Sequence, residues 1–276
     1  MLDYFPETLV PATQTFMFKL NHPVKLRFNL ERLTIEAYRE GWCEKMGGGK
    51  FAHASSFTTK VTASRQLTLK VFSNGVLQIT GCKKEQDMRT VAQQYMRILS
   101  SAHCIDESQN AEHILFAYST MLNVNIKLKE KLDLKRFDQY LIQLHELFPH
   151  SFNLAYSVHD KKVKGSCVKL KKLIEGMAKS PVFVFAFDRN GEVEERESIT
   201  LANYSANFNT GSPLTKRKEV SIYFYPDAKT IFFSSTNKEA SAFYYNWIKD
   251  LLTGFELWRK VSEVGGESGR VSIGTI

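Results

Sequence analysis

The side chains able to do covalent or metal chemistry are scattered along this chain. Its histidines, from His22 to His159, never fall as H-x-x-x-H on one helix face, the spacing that lets two imidazoles share a zinc ion. Met46-Gly47-Gly48-Gly49-Lys50 is rich in glycine, but Phe51 follows where a phosphate-cradling loop needs Ser or Thr, and the longer G-x-x-x-x-G-K spacing is absent. Glu192, Glu194, Glu195 and Glu197 cluster in a charged, loop-like stretch without a partner base. No G-x-S-x-G or dinucleotide-binding pattern stands at a strand–helix junction. The expectation is a protein with no catalytic residues, no metal and no cofactor. Its work would then be done by a surface.

One stretch presents such a surface. In Leu67–Leu99, Leu67, Leu69 and Val71 alternate with Thr68, Lys70 and Phe72, the period of a strand covered on one side. Ser73-Asn74-Gly75 supplies a tight turn, and Leu77 and Ile79 alternate with Val76, Gln78 and Thr80 on the return. Met88, Val91, Ala92, Tyr95, Ile98 and Leu99 then follow helical spacing. One face of the hairpin must cover helices. The other shows Thr68, Lys70, Phe72, Val76, Gln78 and Thr80, which is neither a core nor an ordinary solvated face.

The unit recurs at Val220–Leu251. An offset of 152 residues carries Phe72 to Phe224, Val91 to Phe243, Tyr95 to Trp247 and Leu99 to Leu251 without a gap. A shorter offset pairs the helices that begin after Asn29 and Asp133, and also Asn21 with Asn125. The chain therefore reads as two copies of strand–helix–strands–helix: an arm at 1–12, a first repeat at 13–105, a second at 106–255 with an insertion around 165–218, and a flexible tail at 256–276. The insertion reads as a hairpin begun by Pro181–Phe187, then a polar loop over Ser198–Ser212 and the basic run Lys216-Arg217-Lys218. Two such half-buried sheets sharing a core make an α+β fold with helices on one side.

Length and composition suit a globular protein: 276 residues, 43% hydrophobic, net charge +8. The positive balance permits a polyanion partner without requiring one. Cys43, Cys82, Cys104 and Cys167 form no C-x-x-C pair and read as reduced thiols. With neither a signal-like start nor an apolar run of membrane-spanning length, the expectation is a soluble intracellular protein with no membrane partner.

The hairpin VFSNGVLQITGCK and its following helix resemble the TATA-box-binding protein family, and Glu146-Leu147-Phe148-Pro149 is similar to that family's Glu-Leu-Phe-Pro in the second repeat. The low overall similarity and the insertion make the chain look like the TBP-like proteins of large DNA viruses. The resemblance implies a saddle of two pseudo-symmetric repeats, one curved antiparallel sheet with helices on the convex side. It implies a transcription initiation factor that binds and bends the minor groove of A·T-rich promoter DNA, as a monomer, in the nucleus or a cytoplasmic viral factory. Its further partners would be a TFIIB-like initiation factor and RNA polymerase. The alternative is a TBP-like scaffold for protein contacts whose DNA binding is weak or lost.

Carried over by position, the wedge phenylalanines would be Phe51, Phe72, Phe148 and Phe224, with Phe57 a rival for Phe51. Flat apolar side chains of this kind enter an opened base step and trade unstacking for a bent duplex that wraps more protein. Phe72 stands opposite the buried parity of its strand; Phe224 inherits its role through the repeat offset. Thr80 matches a groove-contacting threonine, with Phe232 as its partner by offset, whereas Gln78 and Thr230 replace small apolar residues of the family. Lys70 and Ile222 take aliphatic positions, and Lys70 would either read a narrow A·T groove or contact a phosphate. The family's paired central asparagines have candidates only in Asn21, Asn123 and Asn125. Arg65, Lys161, Lys162 and Lys164 are candidate phosphate contacts; Lys83, Lys84, Arg89 and Arg97 lie on or near the helix where the family binds protein partners.

Overall fold

The computed structural model describes residues 5–9, 11–21, 30–41, 54–62, 65–104, 112–156, 168–174, 178–187, 192–208, 218–225 and 227–264. Phe51, the glycine run at 47–49, Lys161, Lys162, Lys164, Lys216, Arg217 and the end of the tail lie outside them. In chain order the elements begin with β1 (Pro11–Leu20), α1 (Leu30–Arg39), β2 (Ala54–Thr62), β3 (Arg65–Phe72), β4 (Leu77–Cys82) and α2 (Glu85–Ser101). Then come β5 (His113–Lys127), α3 (Leu134–Leu147), β6 (Asn153–Tyr156), β7 (Val168–Ile174), β8 (Pro181–Phe187) and β9 (Val193–Thr200). The chain closes with α4 (Leu201–Asn207), β10 (Lys218–Phe224), β11 (Thr230–Ser235) and α5 (Lys238–Val264). Two compact units result. The α2 unit is Ala12–Leu122 with Gly176–Lys216, and the α5 unit is Met1–Pro11, Asn123–Glu175 and Arg217–Ile276.

In the α2 unit the strands run β2-β3-β4-β1-β5, and β8 and β9 add on beside the first part of β5. The alternation read from the sequence is what packs. Leu67, Leu69, Val71, Leu77 and Ile79 are buried with Phe16 and Phe18 of β1, under Met88, Val91, Ala92, Tyr95, Ile98 and Leu99 of α2. Each large apolar side chain so buried stabilises by about 1.5–3 kcal/mol. Helix α2 starts cleanly because the buried Asp87 carboxylate accepts from the backbone N–H groups of Lys83 and Lys84 at 2.9 and 3.1 Å. Cys82 and Cys104 are buried thiols outside any disulfide.

The α5 unit repeats the plan, with strand order β5-β11-β10-β7-β6 and helices α3 and α5 packed on one face. Asp133 caps α3 by accepting from the Arg136 N–H at 3.1 Å. The core of this unit is aromatic: Phe137 of α3 lies 4.8 Å from Phe224 and 5.3 Å from Phe255, and Phe233 lies 5.8 Å from Tyr244. The arm expected at 1–12 is partly docked, since Phe5 is buried against Tyr245 at 5.0 Å and Pro11 and Ala12 already belong to β1.

The insertion differs from the loop-like reading. Glu192–Glu197 borders and enters a regular strand, and Thr200 caps a short helix by accepting from the Asn203 N–H at 3.2 Å. Helix α4 forms in a polar stretch because Leu201 and Tyr204, three residues apart, both bury themselves on Phe116 and Tyr118 of β5.

Candidate nucleic-acid interface

The face of the α2 unit left uncovered by α1 and α2 carries two cross-strand rows. Lys70 pairs with Gln78, which pairs with Met17; Thr68 pairs with Thr80, which pairs with Thr15. Lys70 and Thr68 are exposed, and Phe72, Gln78 and Thr80 are half-buried. The Thr80 hydroxyl donates to the Thr68 carbonyl at 3.3 Å. Phe72 is held by its turn: its N–H donates to Val76, and Gly75, at φ +77°, donates back to Phe72. The buried Tyr95 hydroxyl donates to the Gly75 carbonyl at 2.9 Å, which ties this turn to α2. Burial pushes that phenol far above its ordinary range, so it stays a donor.

Toward β5 this face is roofed. Met17 packs against Phe116, Tyr118, Val182, Val184, Leu201 and Tyr204, so α4 lies on the side opposite α2. Phe208, just past α4, is 44% exposed and packs at a tilt against Phe116, with ring centroids 4.7 Å apart. On the α2 side, Arg89 donates from Nε to both Glu195 oxygens at 3.0 and 2.8 Å and also covers the Phe183 ring. These hydrogen bonds raise the Arg89 pKa further. Arg97 approaches Glu192 at 4.0 Å. Two of the basic side chains expected to meet a partner are therefore paired with the inserted hairpin; Lys83 and Lys84 remain exposed.

The α5 unit corrects the repeat offset of 152 to 153 along β10 and α5 and to 154 along β11, so that Phe232 answers to Gln78 rather than to Thr80. Val71 pairs with Leu77 as Phe224 pairs with Ile231, and Leu69 with Ile79 as Ile222 with Phe233. Phe224 and Ile222, expected at the groove, are thus core residues at 1% and 0% exposure, with Phe224 against Phe137. A one-residue slip moves every side chain of a strand to the other face. The residue equivalent to Phe72 is Tyr225. Its N–H donates across the turn to Thr230, and Ala228, at φ +56°, donates back to it as Gly75 does to Phe72. The helices agree: Met88, Val91, Ala92, Tyr95 and Leu99 answer to the buried Ser241, Tyr244, Tyr245, Ile248 and Leu252, whereas Phe243 is exposed.

With the register set, the open face of the α5 unit displays Tyr223, Tyr225 and Phe232, with ring centroids 6.2–6.4 Å apart. Tyr223 pairs with both Phe232 and Lys169, whose Nζ sits 4.9 Å over the Tyr223 ring. Ser221 pairs with Lys171, and Asn125 and Lys127 of β5 are exposed. Asn123 accepts from the Ser234 hydroxyl at 2.6 Å. Asn21, which the shorter offset pairs with Asn125, is engaged with the Ile114 N–H and the Glu112 carbonyl. The Thr230 hydroxyl is spent on Asp227 at 2.6 Å, inside its own turn. Phe148 stands at the C-terminal end of α3, 38% exposed. Arg65 opens β3 opposite Thr62, and Phe57 pairs in register with Leu69.

Tyr223, Tyr225 and Lys169 were not among the expected site residues. Only the buried parity of α5 could have exposed them, by forcing the offset one residue higher. Among the described residues no group of three or more His, Cys, Asp or Glu could hold a metal ion, and no helix is long and apolar enough to cross a membrane.

Comparisons with known proteins agree with the first repeat most directly. Residues 53–102 match the family described as transcription factor TFIID, or TATA-binding protein. A TATA-box-binding protein-like protein of Acanthamoeba polyphaga mimivirus is 29% identical over 132 residues, which is 43% of this chain and 35% of that protein. The match therefore spans about a third of the relative's length. The TBP of Methanococcus jannaschii aligns in structure at a TM-score of 0.41 and 10% identity, over 90% of this chain and 99% of that one.

Proposed function

Taking the chain as a divergent TATA-box-binding protein-like protein, we propose that it is a DNA-binding transcription initiation factor that binds and bends the minor groove of A·T-rich promoter DNA. The observation that carries the reading is the equivalence of Phe72 and Tyr225. Phe72 ends β3 and Tyr225 directly follows β10, each opening a turn across which its N–H donates and in which the residue three further on donates back to its carbonyl, the second turn being one residue longer. A flat ring in that place enters an opened base step, at a cost of about a few kcal/mol offset by the contacts a bent duplex gains; TATA-box-binding proteins are the reference case for this mechanism. Thr68, Lys70, Gln78 and Thr80 beside Phe72, and Asn125 and Lys127 in the other unit, supply donors for the acceptor-rich floor of an A·T groove or for its phosphates. Lys83 and Lys84 remain for a TFIIB-like factor and RNA polymerase, with the protein acting as a monomer in the nucleus or a viral factory.

A second reading has its own support. Helix α4 covers Met17 on the open face, and Glu195 and Glu192 neutralise Arg89 and Arg97. Both fit a protein-interaction scaffold with weakened DNA binding. A fluorescence bending titration separates the two, using an A·T-rich duplex, a G·C-rich control and two salt concentrations. Bending selective for A·T and lost in the Phe72→Ala/Tyr225→Ala double variant carries the initiation-factor reading. Unbent, strongly salt-dependent binding that ignores the substitutions reflects phosphate attraction alone, and the scaffold reading then stands.

A further inference from the structure

The wedge mechanism uses one ring per hairpin, yet the α5 unit places two more rings behind Tyr225. Tyr223 and Phe232 are cross-strand partners on β10 and β11, strands with a neighbour on each side, and both are half-buried with one side toward the open face. Helices α3 and α5 pack on the opposite side of this sheet, where Phe224 and Phe233 lie. Tyr225, 39% exposed, continues the patch. The described residues of this face in β5, β7, β10 and β11 include Lys127, Lys169 and Lys171, and the carboxylate-bearing position of the same parity is Glu219, four residues before Tyr223 and paired in register with Leu173. Asp227, in the turn beyond Tyr225, is held by Lys229 and Thr230 of that turn.

We propose that this face is a stacking platform for the bases of single-stranded DNA. The inference rests on reading the open face as a nucleic-acid interface and assigns it a second ligand. A duplex groove offers base edges, and base faces only at an opened step, so rings in the middle of a sheet find no flat partner there. Unstacked bases do present their faces, and every base has one. Aromatic residues on central strands, flanked by lysines that meet the phosphates, are the arrangement with which sheet proteins hold single strands. Lys169 lies 4.9 Å over the Tyr223 ring, and a base stacking there would displace its ammonium from the ring toward the adjoining phosphate. The tyrosine hydroxyls and Asn125 add hydrogen-bonding groups at the rim. An apolar protein partner would gain nothing from the lysines. A single strand uses both.

The test is fluorescence anisotropy of the full-length chain with a labelled twelve-nucleotide oligothymidylate and an abasic strand of equal length, at one fixed salt concentration. The expected result is binding of oligothymidylate at least tenfold tighter than of the abasic strand. Tyr223→Leu and Phe232→Leu, which keep an apolar side chain, should each lower the affinity for oligothymidylate about tenfold, and Phe243→Leu, at an exposed ring on α5 on the helix side, should leave it unchanged. Equal affinity for the two strands overturns the proposal whether or not the variants fold, because it shows phosphate attraction only. So does retention of affinity in folded leucine variants, or no binding of the single strand. If the single strand is not bound but the A·T duplex is still bent, the platform fails and the initiation-factor reading survives. If neither is bound, both fail.

Discussion

The two hairpins of this protein have similar cores and different open faces. In the α2 unit the open face beyond Phe72 is polar, with Thr68, Lys70, Gln78 and Thr80, and toward β5 it is covered by α4. In the α5 unit the same positions hold Tyr223 opposite Phe232, with Tyr225 where Phe72 stands. The buried sides instead match pair for pair, Leu69 with Ile79 against Ile222 with Phe233. A buried position must fill a fixed volume and tolerates only apolar replacements, at costs of about 1–5 kcal/mol when it is cut down. An open face carries no such constraint and is free to diverge toward separate ligands. The comparison locates duplication in the core and specialisation on the surface.

The largest expected effect tests the register on which that comparison depends. Phe224→Ala should destabilise the α5 unit by about 3–5 kcal/mol, because it empties the contact with Phe137. Tyr225→Ala, one residue away and 39% exposed, should cost about 1 kcal/mol or less. Urea unfolding of the pair decides it; a stable Phe224→Ala that has lost DNA bending would restore the shorter offset.

Alkali should then act on both units. Burial raises the phenols of Tyr95, Tyr204 and Tyr244, and pushes Tyr140 up to about 12. The unfolded chain releases these protons near pH 10 while the folded chain keeps them, so stability falls as pH rises above about 10. Thermal unfolding between pH 8 and 11 should show this decline, and Tyr140→Phe should make it shallower.

The two turns offer a smaller and more pointed contrast. Gly75 and Ala228 share the left-handed conformation, at φ +77° and +56°. Gly75→Ala should cost about 1 kcal/mol, whereas Ala228→Gly should be neutral or stabilising by up to about 1 kcal/mol, strain relief being opposed by chain entropy. Opposite signs in denaturant midpoints support the equivalence of the turns; two losses of equal size would break it.

The smallest effect concerns the surface that only the α2 unit carries. Arg89→Ala and Glu195→Gln, combined in a double-mutant cycle, should give a coupling of about 0.2–1 kcal/mol that shrinks with added salt, since both side chains are partly exposed. If Glu195 also screens α2 from a protein partner, Glu195→Gln should tighten recruitment while leaving stability nearly unchanged. Pull-down of an initiation factor at two ionic strengths would show that gain or its absence.

How far the sequence could be read follows the same division. In Leu67–Leu99 apolar and polar residues alternate, and every residue expected in the core is buried there, joined by Met96 and by Val76, which was expected on the open face but is covered at the turn. In VSIYFYP and TIFFSS both parities are apolar, so period two carries no information about which side is covered. Phe224 therefore looked as suitable for the open face as Tyr225. Leu201 and Tyr204 gave too short a signal for a helix, because α4 has only two buried residues and both depend on β5.

By itself, the order of residues determined the repeated hairpin-and-helix plan, the Phe72 face and the family resemblance, all of which rest on contacts and periodicities within some thirty residues of chain. The tertiary structure alone decided that Phe224 turns inward and Tyr225 outward, and that Glu195 meets Arg89. Those outcomes depend on partners far away in sequence: Phe137 and Phe255 claim one of two equally apolar faces, and the pairing of β8 with β5 carries β9 to α2. A local pattern can state that a face is apolar. Which apolar face is covered is settled only when the covering helices arrive.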